Sequence, residues 1–376
     1  MSPELTYTLI VCAKIVFVFG IAITSIPVLV LVERKLLGWM QMRPGPNRVG
    51  PWGILQTMAD GIKLLFKEDV IPDNIDRPTY HVAPLLVICP ALIVVAVIPF
   101  GPVIEVAGYE IGMSIADLDY GLLYVFAVAS LTTYGIVLAG WSSNNKWSLL
   151  GGMRSMAQMI SYEVTLTVSI VGVLLLCQTF SLREIADAQS GGFWKWNVFS
   201  QPLGFLLFFI AGVAETNRLP FDFPEGESEL TGGFHTEYSS MRFAMFFMGE
   251  YMNVFIMSCI LATLFLGGFH PPYPYEFGTS WLEGMHGFAW VGIKIAFFVF
   301  LFIWLRGTLP RLRFDQLMRL GWQVMLPLAF LNLFATAVLI ALRAPWWVMG
   351  LVGLAVIVVA DLLMSRLFWS VRRAVG

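Results

Sequence analysis

Four carboxylates fall within eight residues in Pro220-Phe221-Asp222-Phe223-Pro224-Glu225-Gly226-Glu227-Ser228-Glu229, between two strongly apolar stretches. With Glu215 and Glu237 they share a segment whose only permanent cations are Arg218 and Arg242, so charge is not balanced locally. The interleaved Pro220, Phe221, Phe223 and Pro224 imply burial, and carboxylates that are crowded and partly desolvated hold protons more tightly than solvated ones. Such groups exchange protons near neutrality with little driving force, which is the chemistry of a proton relay. An ordinary acidic surface loop is the alternative. Glu163, Glu250 and Lys294 lie inside apolar stretches, where ionisable groups are costly and by default functional. A relay from the acidic segment through Glu215, Glu250 and Glu163 is the concrete expectation, with a purely structural Glu–Lys pair left open.

Basic residues gather elsewhere. Glu33-Arg34-Lys35 closes the first apolar stretch, and Arg43-Pro44-Gly45-Pro46-Asn47-Arg48-Val49-Gly50-Pro51 is a run of turn formers too broken for a helix. Beyond it, Ile54, Leu55, Met58, Ile62 and Leu65 recur at helical spacing while Gln56, Asp60, Lys63 and Lys67 take other angular positions. That pattern predicts a short amphipathic helix lying along the membrane interface. Asp60 and Lys63, three residues apart, can meet on one of its faces. Headgroup anchoring by Arg34, Lys35, Arg43 and Arg48, and a solvated charged face on the helix, are the plain alternatives.

The elements that must position these residues are set by composition. The chain is 58% hydrophobic and 13% charged, against about 45–50% and 25% in soluble domains, so it reads as an integral membrane protein. Nine stretches approach the roughly 20 apolar residues needed to cross a bilayer: 8–32, 82–101, 120–141, 156–178, 199–214, 243–268, 287–305, 322–342 and 344–365. Helices alone satisfy their backbone in lipid without closing a barrel. The expected fold is therefore a single all-α membrane domain over 1–376, with about nine transmembrane helices and the amphipathic interfacial helix. Connections 33–80, 142–154, 215–242 and 306–320 and the tail from 366 carry nearly all the Lys and Arg, whereas the opposite connections hold only Arg183, Lys195 and Arg343. This asymmetry places the amino terminus outside and the carboxyl terminus in the cytoplasm. The connections 33–80 and 215–242 become the functional cytoplasmic ones. Lys14 lies within the first apolar run and no small-residue cleavage site follows, so the first helix is expected to stay.

Other function classes find no support. A net charge of −2 without a basic patch argues against nucleic acid. Cys12, Cys89, Cys177 and Cys259 lie in apolar spans without C-x-x-C spacing, and His81, His235, His270 and His286 are scattered, so no metal is expected. No duplicated halves of the kind seen in transporters are visible, and no G-x-G-x-x-G loop is present.

Three motifs carry a resemblance. The first is Glu33-Arg34-Lys35-Leu36-Leu37-Gly38 with Gln41-Met42-Arg43, Gly45-Pro46-Asn47, Ala59-Asp60, Lys63-Leu64 and Lys67-Glu68. The second is Glu215-Thr216-Asn217-Arg218 with Pro220-Phe221-Asp222, Glu225-Gly226-Glu227-Ser228-Glu229-Leu230 and Glu237-Tyr238, and the third runs from Arg306 to Met318. Together they are similar to the H subunit of the proton-pumping NADH:quinone oxidoreductase, respiratory complex I, the counterpart of mitochondrial NADH dehydrogenase subunit 1. The resemblance implies a helical membrane subunit at the junction with the peripheral arm, forming much of a quinone chamber and the entry of a glutamate-rich proton pathway. It assigns the chamber and arm-facing role to Glu33, Arg34, Arg43, Asp60, Lys63, Arg218 and Asp222, and the pathway to Glu225, Glu227, Glu229, Glu237, Glu215, Glu250 and Glu163. Thr57 departs from the family's usual proline and Phe223 from its leucine.

The resemblance further implies no redox cofactor of the chain's own, a quinone (ubiquinone or menaquinone) as substrate entering among the amino-terminal helices and the interfacial helix, and iron–sulfur peripheral-arm and antiporter-like membrane subunits as partners. The membrane anchor of a hydrogenase, which shares the fold, and a free-standing secondary ion transporter are the competing readings. A transporter would gather its charges at broken helices near the midplane, whereas here the acids crowd a connection.

Overall fold

Nearly every apolar run found in the sequence is a helix in the computed structural model, which describes residues 3–106, 108–222 and 232–375. The helices are α1 (Pro3–Met40), α2 (Gln56–Phe66), α3 (Arg77–Val95), α4 (Gly121–Ala129), α5 (Leu131–Ser142), α6 (Lys146–Cys177), α7 (Leu182–Ala188), α8 (Asn197–Ser200), α9 (Pro202–Glu215), α10 (Ser240–Phe265), α11 (Trp281–Thr308), α12 (Phe314–Arg319), α13 (Leu326–Ala341) and α14 (Trp346–Val375). Among the described residues seven helical stretches are long and apolar enough to cross a membrane, with α4–α5 and α12–α13 each counted as one. Pro202–Glu215 and Trp346–Leu362 are shorter apolar helices. Each of the nine expected stretches thus contains a helix, although α3 ends at Val95 where the expected span ran to 101, and the all-α membrane architecture holds. Among the described residues it adds a small hairpin of β1 (Val103–Val106) and β2 (Tyr109–Gly112), paired antiparallel with Ile104 opposite Ile111.

Two boundaries differ from hydropathy for the same reason. Hydropathy ends the first span at residue 32, yet α1 continues to Met40 and carries Glu33, Arg34 and Lys35 as helical residues. Glu, Arg, Lys and Leu are good helix formers, so polarity ends the apolar run without ending the helix. It stops where Arg43 N–H donates to the Gly38 carbonyl at 2.9 Å and Met42 turns to φ 54. Likewise α6 starts at Lys146, ten residues before the expected span, because the Asn145 side chain accepts from Trp147 N–H and caps it.

The most enclosed helix is α10, whose run from Val254 to Phe265 is buried throughout. Around it lie α1, α3, α9 and α11. Close approach demands small side chains: a Cβ on Gly249 would meet the Val87 side chain at 2.6 Å. A smaller apolar cluster of Tyr80, Ala83, Val87, Ile136, Ala139, Met159, Phe234, Tyr238 and Phe246 sits beside the main core. Its Tyr80 and Tyr238 rings stack at 4.1 Å, and Tyr238 donates to or accepts from Ser142 Oγ at 3.2 Å. Burial pushes the Tyr238 hydroxyl well above its ordinary range, so it remains a neutral hydrogen-bonding group.

The amphipathic helix is present as α2, beginning at Gln56 without a side-chain cap and with Thr57 in its first turn. Met58, Ile62, Leu65 and Phe66 stay exposed, as they would on a helix whose apolar face meets lipid headgroups and acyl chains instead of the core.

Candidate functional site

The three motifs, far apart in sequence, converge at the end of the bundle where α1 and α11 finish and α10 begins. Glu33, on the extension of α1, is 6% exposed. Its carboxylate accepts from Arg218 Nη1 at 3.5 Å and is bonded by Arg306 from the last turn of α11. The Arg218 guanidinium, itself buried, lies over the Tyr251 ring at 4.1 Å. Among the described residues one carboxylate faces two guanidiniums in a poorly hydrated place. Arg218 Nε and Nη2 are buried and have no hydrogen-bond partner among the described residues. Buried donors of this kind are costly unless something accepts from them. Among the described residues, then, the cluster has donors to spare for an oxygen acceptor.

The same place opens along an apolar crevice. Leu29 and Val299 line both the space at the charge cluster and a cavity of about 280 Å³ running between α1, α10 and α11. Ile21, Val28, Phe255, Phe288 and Ile295 are among its walls. Backbone also joins the second and third motifs, since Leu312 N–H donates to the Pro220 carbonyl at 3.2 Å.

A second polar cavity lies among the helices. Glu163 of α6 and Glu215 at the end of α9 line it with Asn253 of α10, in otherwise apolar walls that include Val94, Val125 and Ile260. Its volume of about 30 Å³ holds one or two water molecules. Glu215 Oε2 is buried without a hydrogen-bond partner among the described residues, so a water or a neighbouring carboxyl is its natural complement. Glu250 sits one turn before Asn253 on α10, half-buried. Glu237 accepts from Asn145 Nδ2 at 2.7 Å, which ties it to the start of α6. Asp222 is half-buried at the end of the turn. Glu225, Glu227 and Glu229 lie outside the described residues.

Several sequence expectations change. Asp60 does not pair with Lys63: Arg34 reaches it at 2.5 Å and Gln56 donates to it at 3.2 Å, while Lys63 is exposed. The extension of α1 brings Arg34 beside α2, and a longer guanidinium from a neighbouring helix competes successfully with an ammonium three residues away. Arg43 is exposed and donates to Gln41 Oε1 at 2.7 Å. Lys294 forms no Glu–Lys pair among the described residues; its Nζ donates to the carbonyls of Leu266, Gly268 and His270 at 2.6, 2.7 and 2.6 Å and lies 4.8 Å from the Trp196 ring. Three donors on three acceptors make it a clamp on the turn after α10. Lys294→Met should leave those carbonyls unsatisfied at about 1–3 kcal/mol apiece, read as a lower thermal midpoint of the purified assembly. Sequence reading misses Arg306, Tyr251 and Asn253 as site residues; Arg306, which opens the third motif, is the one with a local signal.

Comparison with known proteins gives the family. The family model described as NADH dehydrogenase matches residues 13–337. The NADH-quinone oxidoreductase H subunit 2 of Koribacter versatilis is 46% identical over 355 residues, spanning 91% of this chain and 100% of the relative. H subunit 1 of Geobacter sulfurreducens is 47% identical over 349 residues, 90% of this chain and 97% of the relative. H subunit 1 of Solibacter usitatus is 42% identical over 388 residues, 89% and 98%. With matches of this extent enclosing all three motifs, the chain belongs to the NADH dehydrogenase family, among the H subunits of NADH-quinone oxidoreductase.

Proposed function

We propose that this chain forms the quinone-binding chamber of an NADH:quinone oxidoreductase at the junction with its peripheral arm, and that its glutamates carry the coupled proton movement. It works as a multi-pass subunit of the inner cell membrane, with its amino terminus outside and its carboxyl terminus in the cytoplasm, among iron–sulfur arm subunits and antiporter-like membrane subunits. The observation that carries the reading is the buried Glu33–Arg218–Arg306 cluster at the end of an apolar crevice, with two Arg218 donors unpartnered among the described residues. An isoprenoid tail suits the crevice, and a headgroup that gains negative charge on reduction suits preorganised guanidiniums. Electrons come from a neighbouring subunit. The space at the cluster is about 20 Å³, so a quinone ring is admitted only when Arg306, whose side chain is 27% exposed, swings aside. Asp60 and Arg34 at α2, with Arg43, Lys63 and Asp222, form the arm-facing rim, and Glu215, Glu163, Glu250 and Glu237 with Glu225, Glu227 and Glu229 form the proton route.

Gly292 lines the crevice, and a Cβ built there meets no atom within 4 Å, so a side chain added at this position starts from open space. Gly292→Phe should raise KM for a long-tailed quinone about tenfold, equivalent to 1.4 kcal/mol. Reduction of a short-tailed analogue and of hexacyanoferrate should keep wild-type kinetics. Unchanged KM for the long-tailed substrate would remove the crevice from the pathway.

A further inference from the structure

One buried side chain touches both ends of the turn that separates the two charged sites. Gln158 lies on α6, five residues before Glu163, and is fully buried. Its Nε2 donates to the Ala214 carbonyl at 2.8 Å and to the Phe221 carbonyl at 2.9 Å. Both neighbours are acceptors, so the amide must present its nitrogen; the opposite flip would set oxygen against oxygen.

Ala214 immediately precedes Glu215 and Phe221 immediately precedes Asp222. A single amide therefore closes the segment from Glu215 to Asp222 on itself, with Asn217 held at φ 49 inside it. Within the turn Phe221 N–H donates to the Arg218 carbonyl at 2.8 Å and Asn217 N–H to the Ala214 carbonyl at 3.2 Å, and ties to other elements include Leu312 N–H on the Pro220 carbonyl, Asn217 Nδ2 on Met159 Sδ at 3.9 Å, and the Phe221 ring 5.9 Å from that of Tyr162. Glu215 faces the Glu163 cavity, and Arg218, three residues on, faces Glu33. Two sites on one short segment stay in register only if that segment is stiff.

Resting on the reading of this end as chamber and proton route, we propose that Gln158 is the positioning residue that holds Glu215 and Arg218 in fixed register. A change of charge at the Glu33–Arg218–Arg306 cluster then reaches the Glu163–Glu215 cavity through a rigid turn instead of being absorbed by it.

The test uses the intact assembly in native membranes. Gln158→Met keeps length and volume and removes both donors. Quinone-linked kcat should fall about tenfold, 1.4 kcal/mol of barrier, with KM for quinone and electron transfer to hexacyanoferrate at wild-type values. Hydrogen exchange of the 215–222 backbone should accelerate about tenfold in the same preparation. Ser169→Ala, equally buried on α6 and with its hydroxyl donating to the Leu166 carbonyl of the same helix at 2.7 Å, should match wild type in each measurement. Wild-type kcat in Gln158→Met, alongside an impaired Glu215→Gln, would overturn the positioning role and leave the proposed function standing. Wild-type kcat in both would remove the proton route and this inference with it. If Gln158→Met does not assemble, Gln158→Asn, too short to span both carbonyls, is read instead: lower kcat at constant KM supports the role, and wild-type kcat overturns it.

Discussion

Glu33→Gln is expected to abolish quinone-linked turnover, by about a hundredfold or more, and to lower the yield of assembled complex. The substitution preserves shape, so the effect is electrostatic. Glu33 is the shared anion of two guanidiniums, and the Glu33 and Arg218 side chains are each 8% exposed. Removing one partner from a buried ion pair costs about 3–5 kcal/mol, because the remaining charge has neither water nor a counterion. Here two cations are stranded together. Part of that cost falls on the folded subunit, visible as a lower thermal midpoint, and part on the geometry of the Arg218 donors. Glu33→Gln combined with Arg306→Met should recover stability over Glu33→Gln alone, since residues in one charge network are not additive. Wild-type assembly and turnover in Glu33→Gln would show that the cluster carries neither stability nor function.

Glu215→Gln is expected to behave differently: normal assembly, normal electron transfer to hexacyanoferrate, and quinone-linked turnover with its proton translocation reduced about 10²-fold, the usual scale for losing a positioned proton-transfer group. An amide fits the space of a carboxyl, and the cavity of about 30 Å³ beside it admits water, so structure is preserved. What is lost is a group that can take and release a proton. Glu163→Gln should resemble it, and the double variant should be little worse than either single one, because groups acting as a unit are not additive. Turnover is measured with a quinone, and translocation with a pH-sensitive dye in sealed vesicles. Normal translocation in Glu215→Gln would sink the route through this cavity.

These variants also mark how far a linear reading reaches. Glu215 and Glu163 stand out locally as acids at the end of an apolar run and inside one, and the structure brings them to one cavity. Asn253, neutral and embedded in the continuous apolar run of α10, gives no such signal. Helical spacing suggests Lys63 as the partner of Asp60 because near neighbours are obvious; the guanidinium that reaches it belongs to α1. Lys294 invites an acidic partner by its charge alone, and its ammonium is satisfied by three carbonyls that no composition rule marks.

Membrane character, the helical stretches and the family motifs are all legible in the linear chain, because hydropathy and helix propensity act over about 20 neighbouring residues. The site exists only once the helices have packed. The carboxylate of Glu33 meets guanidiniums 185 and 273 positions away. Such meetings follow from which helix faces come together in a dense core, a property of the whole bundle that no local window of residues contains.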